Sequence, residues 1–261
     1  MDSTVQHIRD WRPLFRVGGV AALLLVAFDV VALALYFVSP PPISGGVETL
    51  RFIAENKVSY IAQQLLWLAP SLFAVIVFTA LFVAVLPRSP VLAVLGLVVG
   101  GSSWAALLAV PVTSVGTLSL VYLSDEYATA AQAARAPFLA AAETLIAENN
   151  TVSLAGALTP LGLLLLCAAI VHGRVGYVTG WIGVGTAALG LLGESLRFAV
   201  PAVYTVYGPL LWVWFVVAGV FLFRFAPEAT SSPTGSVSGS VSVSATPSIR
   251  SRRLAQQQRS R

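Results

Sequence analysis

The chain has 261 residues, of which 57% are hydrophobic and 10% are charged, and its formal net charge is +4. Soluble domains carry roughly 25% charged residues, so this composition excludes an ordinary soluble domain. The arginines lie near the ends of apolar segments and in the last twelve residues, which favours contact with anionic lipid headgroups over binding of nucleic acid.

Continuous apolar runs of roughly 18 residues or more recur between residues 17 and 226, which is the length that a helix needs to cross the hydrocarbon core of a bilayer. The runs do not alternate with polar residues, so they predict helices rather than the strands of a barrel. We therefore predict an all-α integral membrane protein that forms a bundle of six transmembrane helices. The six spans lie at about residues 17–38, 61–86, 91–123, 152–171, 177–200 and 204–225.

The connections between these spans carry the prolines and much of the charge. Three consecutive prolines from Pro40 end the first span, and residues 44–59 are predicted to be a polar connection to the second. The third apolar stretch is too long for one crossing at about 1.5 Å per residue, so we expect a kink at Pro111. Apolar residues recur at three- and four-residue steps over residues 125–149, which predicts an extracytoplasmic amphipathic helical segment, broken near Pro137, that lies on the membrane face or caps the bundle.

The distribution of Lys and Arg predicts the orientation of the chain. With the N-terminus inside, six of these residues flank the spans on the inner side and four on the outer side. We therefore expect a cytoplasmic N-terminal segment over residues 1–16, both termini in the cytoplasm and a location in the plasma membrane. Residues 227–261 are Ser-rich and end in five arginines, so we expect a disordered cytoplasmic tail that binds anionic lipid headgroups.

One acidic residue, Asp29, falls near the middle of the first span, where an ionised acid costs about 2.5–3.5 kcal/mol on insertion scales. Gly18, Ala22, Ala32 and Tyr36 share its helical face, so this face can approach another helix closely. Two interpretations stay open. Asp29 is either a proton or cation site in the core of the bundle, or a structural residue that is protonated or bonded to a neighbouring polar group.

Glu194 and Arg197 lie three residues apart in the fifth span, a spacing at which two side chains on a helix can pair. Gly183 and Gly190 lie on the same stripe, so the pair is expected to face protein rather than lipid. A structural lock is favoured over a contact with substrate. Together with Asp29, the pair is a possible intramembrane polar site.

Other polar and small residues carry weaker signals. The motifs Gly96-x-x-x-Gly100 and Gly176-x-x-x-Gly180 permit close helix packing, which we expect within the chain. Further polar side chains are candidates to line a cavity, although serine and threonine also bond to their own helix. They are Gln63, Gln64, Ser102, Ser103, Thr113 and Ser114.

No motif for covalent chemistry stands out. The histidines are His7 and His172 and the one cysteine is Cys167, so we predict no histidine-based metal centre, no intrachain disulfide and no cofactor. The Gly-Val-Gly stretch from Gly183 imitates a dinucleotide-binding fingerprint, but it has no preceding strand and lies inside a predicted span. We assign no catalytic residue, and the sequence favours a protein that is not an enzyme.

The stretch RAPFLAAAETLIAEN from Arg135 to Asn149 precedes Gly-rich fourth and fifth spans and an aromatic sixth span that ends in Phe-Leu-Phe-Arg224. In this layout the chain resembles a family of uncharacterised bacterial six-helix membrane proteins over about residues 15–225. The early loop around Pro40 and Gly45 departs from the family pattern. The resemblance implies the architecture, and it brings no activity and no functional residue with it.

Three functions remain as hypotheses. The first is a small-solute or ion transporter-like protein, which requires Asp29 to face a hydrated path. The second is a non-catalytic membrane partner or regulatory subunit of a larger complex. A membrane-embedded enzyme is the third and has the least support in the sequence.

Overall fold

The computed structural model describes residues 11–42, 44–109, 112–113, 116–150, 154–171, 176–197 and 199–225, and this part of the chain is almost entirely helical. Two short strands and one 3₁₀ turn, Gln132–Ala134, interrupt the helices. The helices are α1 (Arg12–Val38), α2 (Gly46–Val85), α3 (Pro90–Ala109), α4 (Ser119–Thr129), α5 (Ala136–Asn150), α6 (Leu154–Val171), α7 (Tyr177–Ser195) and α8 (Pro201–Phe225). The strands are β1 (Val112–Thr113) and β2 (Gly116–Thr117).

Four of the described helices are long and apolar enough to cross a membrane, namely α1, α2, α3 and the Thr205–Arg224 part of α8. The predicted all-α class is therefore confirmed for the described residues. Helix α6 is also apolar, but its apolar stretch, Gly156–Val171, is shorter. Helix α7 has 19 residues, five of them glycines, and these glycines lower its mean hydropathy.

Six helices pack in a closed ring. Helix α1 packs on α2, α2 on α3, α3 on α6, α6 on α7, α7 on α8, and α8 returns to α1. The middle of the ring is filled by fully buried side chains that include Phe78, Leu163, Trp214 and Phe215. The ring centroids of Phe78 and Trp214 are 6.5 Å apart, and those of Trp214 and Phe215 are 5.0 Å apart. Large aromatic groups thus occupy the centre of the bundle.

Glycines set the spacing between α3 and α6. The backbone of Gly100 lies so close to Gly162 that a Cβ atom on Gly162 would collide with it. One turn earlier on α3, Gly96 lies against Leu166. The segment Leu97–Gly101 is a single π-helical turn, which presents Gly100 to the neighbouring helix. The motif from Gly96 to Gly100 therefore packs within the chain, as predicted.

Four arginines gather at one end of the ring. Gly18 near the start of α1 faces Ala80 near the end of α2 and Leu222 near the end of α8, so these three helix ends lie together. The arginines at this end are Arg12, Arg16, Arg88 and Arg224. We refer to these four residues and the helix termini that carry them as the arginine end.

The opposite end of the ring carries a cap made of β1, β2, α4 and α5, which packs on the first turns of α2. A second cluster of buried apolar residues joins the two: Leu50, Ile53, Tyr60, Leu120, Ala142 and Ile146. The predicted polar connection over residues 44–59 is therefore wrong, because these residues form the start of α2 under the cap. Asn56 interrupts this 40-residue helix with φ −123° and ψ 29°.

The third predicted span also differs from the structure. Helix α3 ends at Ala109, and β1 and β2 then form a small antiparallel pair before α4 begins at Ser119. A single kinked span over residues 91–123 is therefore wrong, because the hairpin and the start of α4 account for the excess length. Pro111, the expected site of the kink, lies outside the described residues.

The predicted break near Pro137 is displaced as well. Helix α4 ends at Thr129, and the chain turns before α5 begins at Ala136. Pro137 lies in the first turn of α5, where the missing N–H of a proline removes no helical hydrogen bond. Residues 1–10 and the predicted tail at 227–261 lie outside the described residues.

The last two helices have different limits from the predicted spans. Helix α7 ends at Ser195 rather than near residue 200. Helix α8 begins at Pro201 rather than near residue 204, because proline is favoured at the first position of a helix.

Two glycine substitutions test the close contact between α3 and α6. Gly162→Ala should destabilise the protein by about 1–3 kcal/mol, because the added methyl group overpacks the contact with Gly100. Gly185→Ala is the matched control: nothing lies within 4 Å of a Cβ atom there, and alanine favours a helix over glycine by about 1 kcal/mol. Thermal unfolding in detergent can be followed with a thiol-reactive dye, because Cys167 is the one cysteine and is fully buried. Equal unfolding temperatures for the two variants would contradict the contact.

Candidate functional site

Asp29 is buried between α1 and α8. Its side chain is 8% exposed, with Leu25 and Ala32 buried one turn away on either side. The Nε1 atom of Trp212 on α8 donates a hydrogen bond to Asp29 Oδ2 at 2.8 Å. A carboxyl group in the apolar part of the ring therefore has a hydrogen-bond donor from the opposing helix.

This hydrogen bond favours the structural interpretation of Asp29. The indole N–H of tryptophan can only donate, and a carboxyl oxygen accepts it. Two clefts of useful size, about 620 Å³ and 290 Å³, are lined by other residues and do not reach Asp29. Asp29 and Trp212 thus form a polar clasp between α1 and α8.

Glu194 and Arg197 meet at the end of α7 that is nearer the cap. Arg197 Nη1 lies 3.5 Å from Glu194 Oε1, and Glu194 is almost fully buried. A Cβ atom on Gly156 of α6 would lie 2.7 Å from Glu194 Oε1, so the acid is held against that helix. The structure does not join this pair to Asp29, whose bonded partner lies on α8.

Polar contacts fix the β-hairpin onto α2. Tyr60 Oη donates to the carbonyl oxygen of Thr117 at 3.1 Å and accepts from Thr117 N at 3.2 Å. Thr113 Oγ1 donates to Gln64 Oε1 at 2.7 Å. Of these, the sequence singled out Gln64 and Thr113 but missed Tyr60 and Thr117, because nothing local to Tyr60 signals a partner 57 residues away.

Two buried amide groups lie on this part of α2. The side chains of Gln63 and Gln64 are at most 2% exposed. The Nε2 atoms of both have no hydrogen-bond partner among the described residues. A buried polar group without a partner costs about 1–3 kcal/mol, so each of these two amide nitrogens lowers the stability of the folded chain.

Ser103 and Thr159 join α3 to α6. Their hydroxyl oxygens are 2.5 Å apart, and both side chains are buried. The pair lies about one turn beyond the contact of Gly100 with Gly162, on the side of the cap. Ser102, the neighbouring candidate from the sequence, is exposed instead.

The cap is tied to the start of α2 by three further polar contacts. Glu143 Oε1 accepts a hydrogen bond from Gly46 N at 2.6 Å, which places a carboxylate at the positive N-terminus of α2. Ser124 Oγ donates to the carbonyl oxygen of Leu50 at 2.7 Å. Lys57 Nζ lies 2.6 Å from Asp125 Oδ2, but both side chains are about half exposed, so this ion pair contributes less than about 1 kcal/mol.

An open cleft of about 620 Å³ lies between α4 and α5 on the cap. Its lining is mainly apolar, and Tyr122 is 64% exposed at its edge. The lining residues are Ser119, Tyr122, Leu123, Ala141, Thr144 and Leu145. The sequence predicts an amphipathic segment here but gives no sign of a cleft. The cleft forms because the chain turns between α4 and α5, at residues 130–135. We refer to it as the cap cleft.

Within the described part of the chain, no three His, Cys, Asp or Glu side chains lie together in a way that would hold a metal ion. Cys167 is fully buried beside Gly183 and Trp214 in the middle of the ring. Some of the described buried polar residues thus pair between helices, as Asp29 does with Trp212 and Ser103 with Thr159.

The clasp between Asp29 and Trp212 can be tested by substitution. Trp212→Phe removes the donor and leaves the buried carboxyl without it, so we expect a loss of about 1–3 kcal/mol in stability. Asp29→Asn keeps an oxygen that can accept from the indole and should cost less. Trp181→Phe is the control: Trp181 is half-exposed, so this substitution should change the stability little. Thermal unfolding in detergent measures all three, and a Trp212→Phe protein as stable as the control would rule out the clasp.

Comparison with known proteins gives no match to a family model, to a curated protein or to a solved structure.

Proposed function

We propose that the chain is a six-pass plasma-membrane protein. Besides the four long apolar helices, the packing of α6 and α7 supports this proposal. Leu166 of α6 lies against Gly96 of α3, and Gly190 of α7 lies against Tyr207 of α8. Helices α6 and α7 therefore lie at the same level as α3 and α8, which are long enough to span a membrane. Their 18 and 19 residues correspond to about 27–29 Å, close to the thickness of the hydrocarbon core of a bilayer.

The separation of charge supports an orientation with the arginine end in the cytoplasm and the cap outside. Positively charged residues flank the cytoplasmic ends of membrane helices, and the count of Lys and Arg near the spans in the sequence, six against four, favours this end. Apart from Asp29, the described acidic residues lie in the cap, in the first turns of α2 or at the end of α7, away from the arginine end. They are Glu48, Glu55, Asp125, Glu126, Glu143, Glu148 and Glu194. Both termini of the ring then face the cytoplasm.

Cysteine labelling tests the six crossings. In a Cys167→Ser background, Glu148→Cys on the cap should react with a membrane-impermeant maleimide in intact cells. Ser89→Cys at the arginine end and Tyr177→Cys at the start of α7 should react only after permeabilisation. Tyr177 is decisive, because it lies outside the cell if α6 and α7 do not cross; it is 57% exposed, so burial does not protect it. Labelling of Tyr177→Cys in intact cells would reject the six-pass topology.

We further infer that the protein is a non-catalytic membrane partner or regulatory subunit. The observation that carries this proposal is the contrast between a ring filled by Phe78, Trp214 and Phe215 and an open cap cleft on the outer face. A filled interior leaves little room for a solute, whereas an exposed apolar cleft is typical of an interaction surface. Recognition is therefore expected at the cap.

The chemistry of the cap indicates the kind of partner. Residues 119–150 contain four acidic residues and one arginine, so the cap has a formal net charge of −3. The cleft itself is apolar, with Leu123, Ala141 and Leu145 in its lining. The matching occupant is an apolar segment with basic flanking residues in the extracytoplasmic part of another membrane protein.

A photo-crosslinking amino acid at Tyr122 tests this surface. The probe should give one discrete protein adduct in intact membranes, and the adduct should disappear when Ala141→Arg places a charge in the cleft. The matched control is the same probe at Ala128, which is exposed on α4 and does not line the cleft. An equal adduct from both positions, or an adduct at Tyr122 that survives Ala141→Arg, would count against the cap cleft as the partner site. Adducts with lipid alone would do so as well.

A transporter-like function is the second candidate, and the buried amides of Gln63 and Gln64 favour it. Their Nε2 atoms lack partners among the described residues, so each has hydrogen-bonding capacity for water or a polar solute. The variant Asp29→Asn separates the two functions. A transporter that uses Asp29 as a proton or cation site loses flux in reconstituted vesicles, whereas a partner protein keeps its crosslink at the cap. Unchanged flux in every assay would remove the role proposed for Asp29 in transport.

A further inference from the structure

A second cleft of about 290 Å³ lies between α1 and α2, remote from the cap. Its lining is apolar, and Arg16 contributes only the hydrocarbon part of its side chain to it. The lining residues are Arg16, Val17, Val20, Ala21, Leu24, Phe73 and Ile76. Val17, Val20 and Leu24 are 40–52% exposed, so the cleft opens on the outer side of the ring. We refer to it as the α1–α2 groove.

The groove runs along the helix axis. Residues 16 and 24 of α1 both line it, and eight residues of helix span about 12 Å. Arg16 lies at one end, in the cluster of the arginine end, and Leu24 lies toward the middle of the ring. The groove is therefore long and narrow, with a cation at the end that the proposed topology puts at the cytoplasmic headgroup layer.

A second cation lies one turn before Arg16. Arg12 and Arg16 are four residues apart, so their side chains project from the same face of α1. The side chain of Arg12 is partly exposed although its Nε atom is buried without a hydrogen-bond partner among the described residues, so the accessible part of the side chain is what can contact a ligand. A guanidinium N–H is a strong donor that suits phosphate oxygens, and two guanidinium groups together can hold one phosphate.

We propose that the α1–α2 groove binds an anionic phospholipid of the cytoplasmic leaflet, with part of one acyl chain along Val17, Val20 and Leu24 and the phosphate on Arg12 and Arg16. This inference rests on the proposed membrane topology. The orientation of the groove matches a lipid chain, which stands along the membrane normal. Basic pockets between membrane helices on the cytoplasmic side are typical sites for anionic headgroups.

The surrounding charge favours a lipid with net negative charge over a zwitterionic one. Arg88 and Arg224 share this end of the ring with Arg12 and Arg16, and the described acidic residues lie elsewhere. A zwitterionic headgroup brings its own ammonium group into this cluster, whereas phosphatidylglycerol does not. Selectivity for the anionic lipid is therefore the property that separates a binding site from ordinary solvation by lipid.

Native mass spectrometry of the purified full-length chain, titrated with phosphatidylglycerol or phosphatidylcholine in detergent, tests the proposal. Phosphatidylglycerol should bind the wild type more tightly than phosphatidylcholine. Arg16→Gln should weaken phosphatidylglycerol binding roughly fivefold, the factor that corresponds to the contribution of one arginine near an anionic lipid surface. Val20→Phe keeps both arginines but fills the groove, and it should weaken binding of the lipid as well.

Arg224→Gln is the matched control, because Arg224 is an exposed arginine at the same end that does not line the groove. The affinity for phosphatidylglycerol should fall much less in Arg224→Gln than in Arg16→Gln. Equal binding of the two lipids by the wild type overturns the proposal, and so does equal loss in Arg16→Gln and Arg224→Gln. The labelling of Ser89→Cys, Glu148→Cys and Tyr177→Cys does not depend on this lipid, so a failure of the groove and a failure of the topology give different results.

Discussion

The close approach of helices at glycines is the constraint on which the rest of the structure depends. Gly100 and Gly162 bring the backbones of α3 and α6 into contact, and Gly183 and Gly190 let α7 lie against its two neighbours. In a bilayer there is little hydrophobic force between helices, so in the proposed membrane topology their association relies on this kind of van der Waals contact. These contacts place α6 and α7 between α3 and α8. The ring closes because the glycines have no side chain that would collide with the neighbouring helix.

Closure of the ring determines which surfaces of the protein are open to a ligand or a partner. With small residues at the helix contacts, the large groups point inward, and Phe78, Trp214 and Phe215 occupy the middle. Two pairs of interior polar residues join helices: Asp29 with Trp212, and Ser103 with Thr159. The cap cleft and the α1–α2 groove, by contrast, open on the outside of the described helices.

The features that the sequence predicts well are those set by local patterns. Continuous apolar runs predict the helical class, and the spacing of Gly96 and Gly100 predicts a tight contact, since both signals reside within a few turns. The three-residue spacing of Glu194 and Arg197 likewise allows the 3.5 Å contact found at the end of α7. The number of crossings, the orientation and the activity are not set by local patterns in the sequence. They concern the relation of the chain to a bilayer and to other molecules, and they remain proposals.

The features that the sequence misses depend on residues far apart in the chain. Glu48, Arg51, Glu55 and Lys57 give residues 44–59 the composition of a loop, yet the segment is helical. Its Leu50 and Ile53 are covered by the cap, and Lys57 reaches Asp125 across 68 positions. Asp29 and Trp212 are 183 residues apart, so the sequence showed the buried acid without its donor.

Helix α2 is the element that connects the two proposed binding surfaces. Its first turns form the floor of the cap through Leu50 and Ile53, while Phe73 and Ile76 line the α1–α2 groove. A ligand at one surface affects the other only if it distinguishes between two arrangements of the elements that they share. The non-helical backbone at Asn56 divides α2 between these two regions, so the part under the cap and the part in the ring are not one unbroken rod. Any energetic link between the cap and the lipid groove through α2 must therefore pass both Asn56, whose φ and ψ are not helical, and Pro70, which has no backbone N–H to donate.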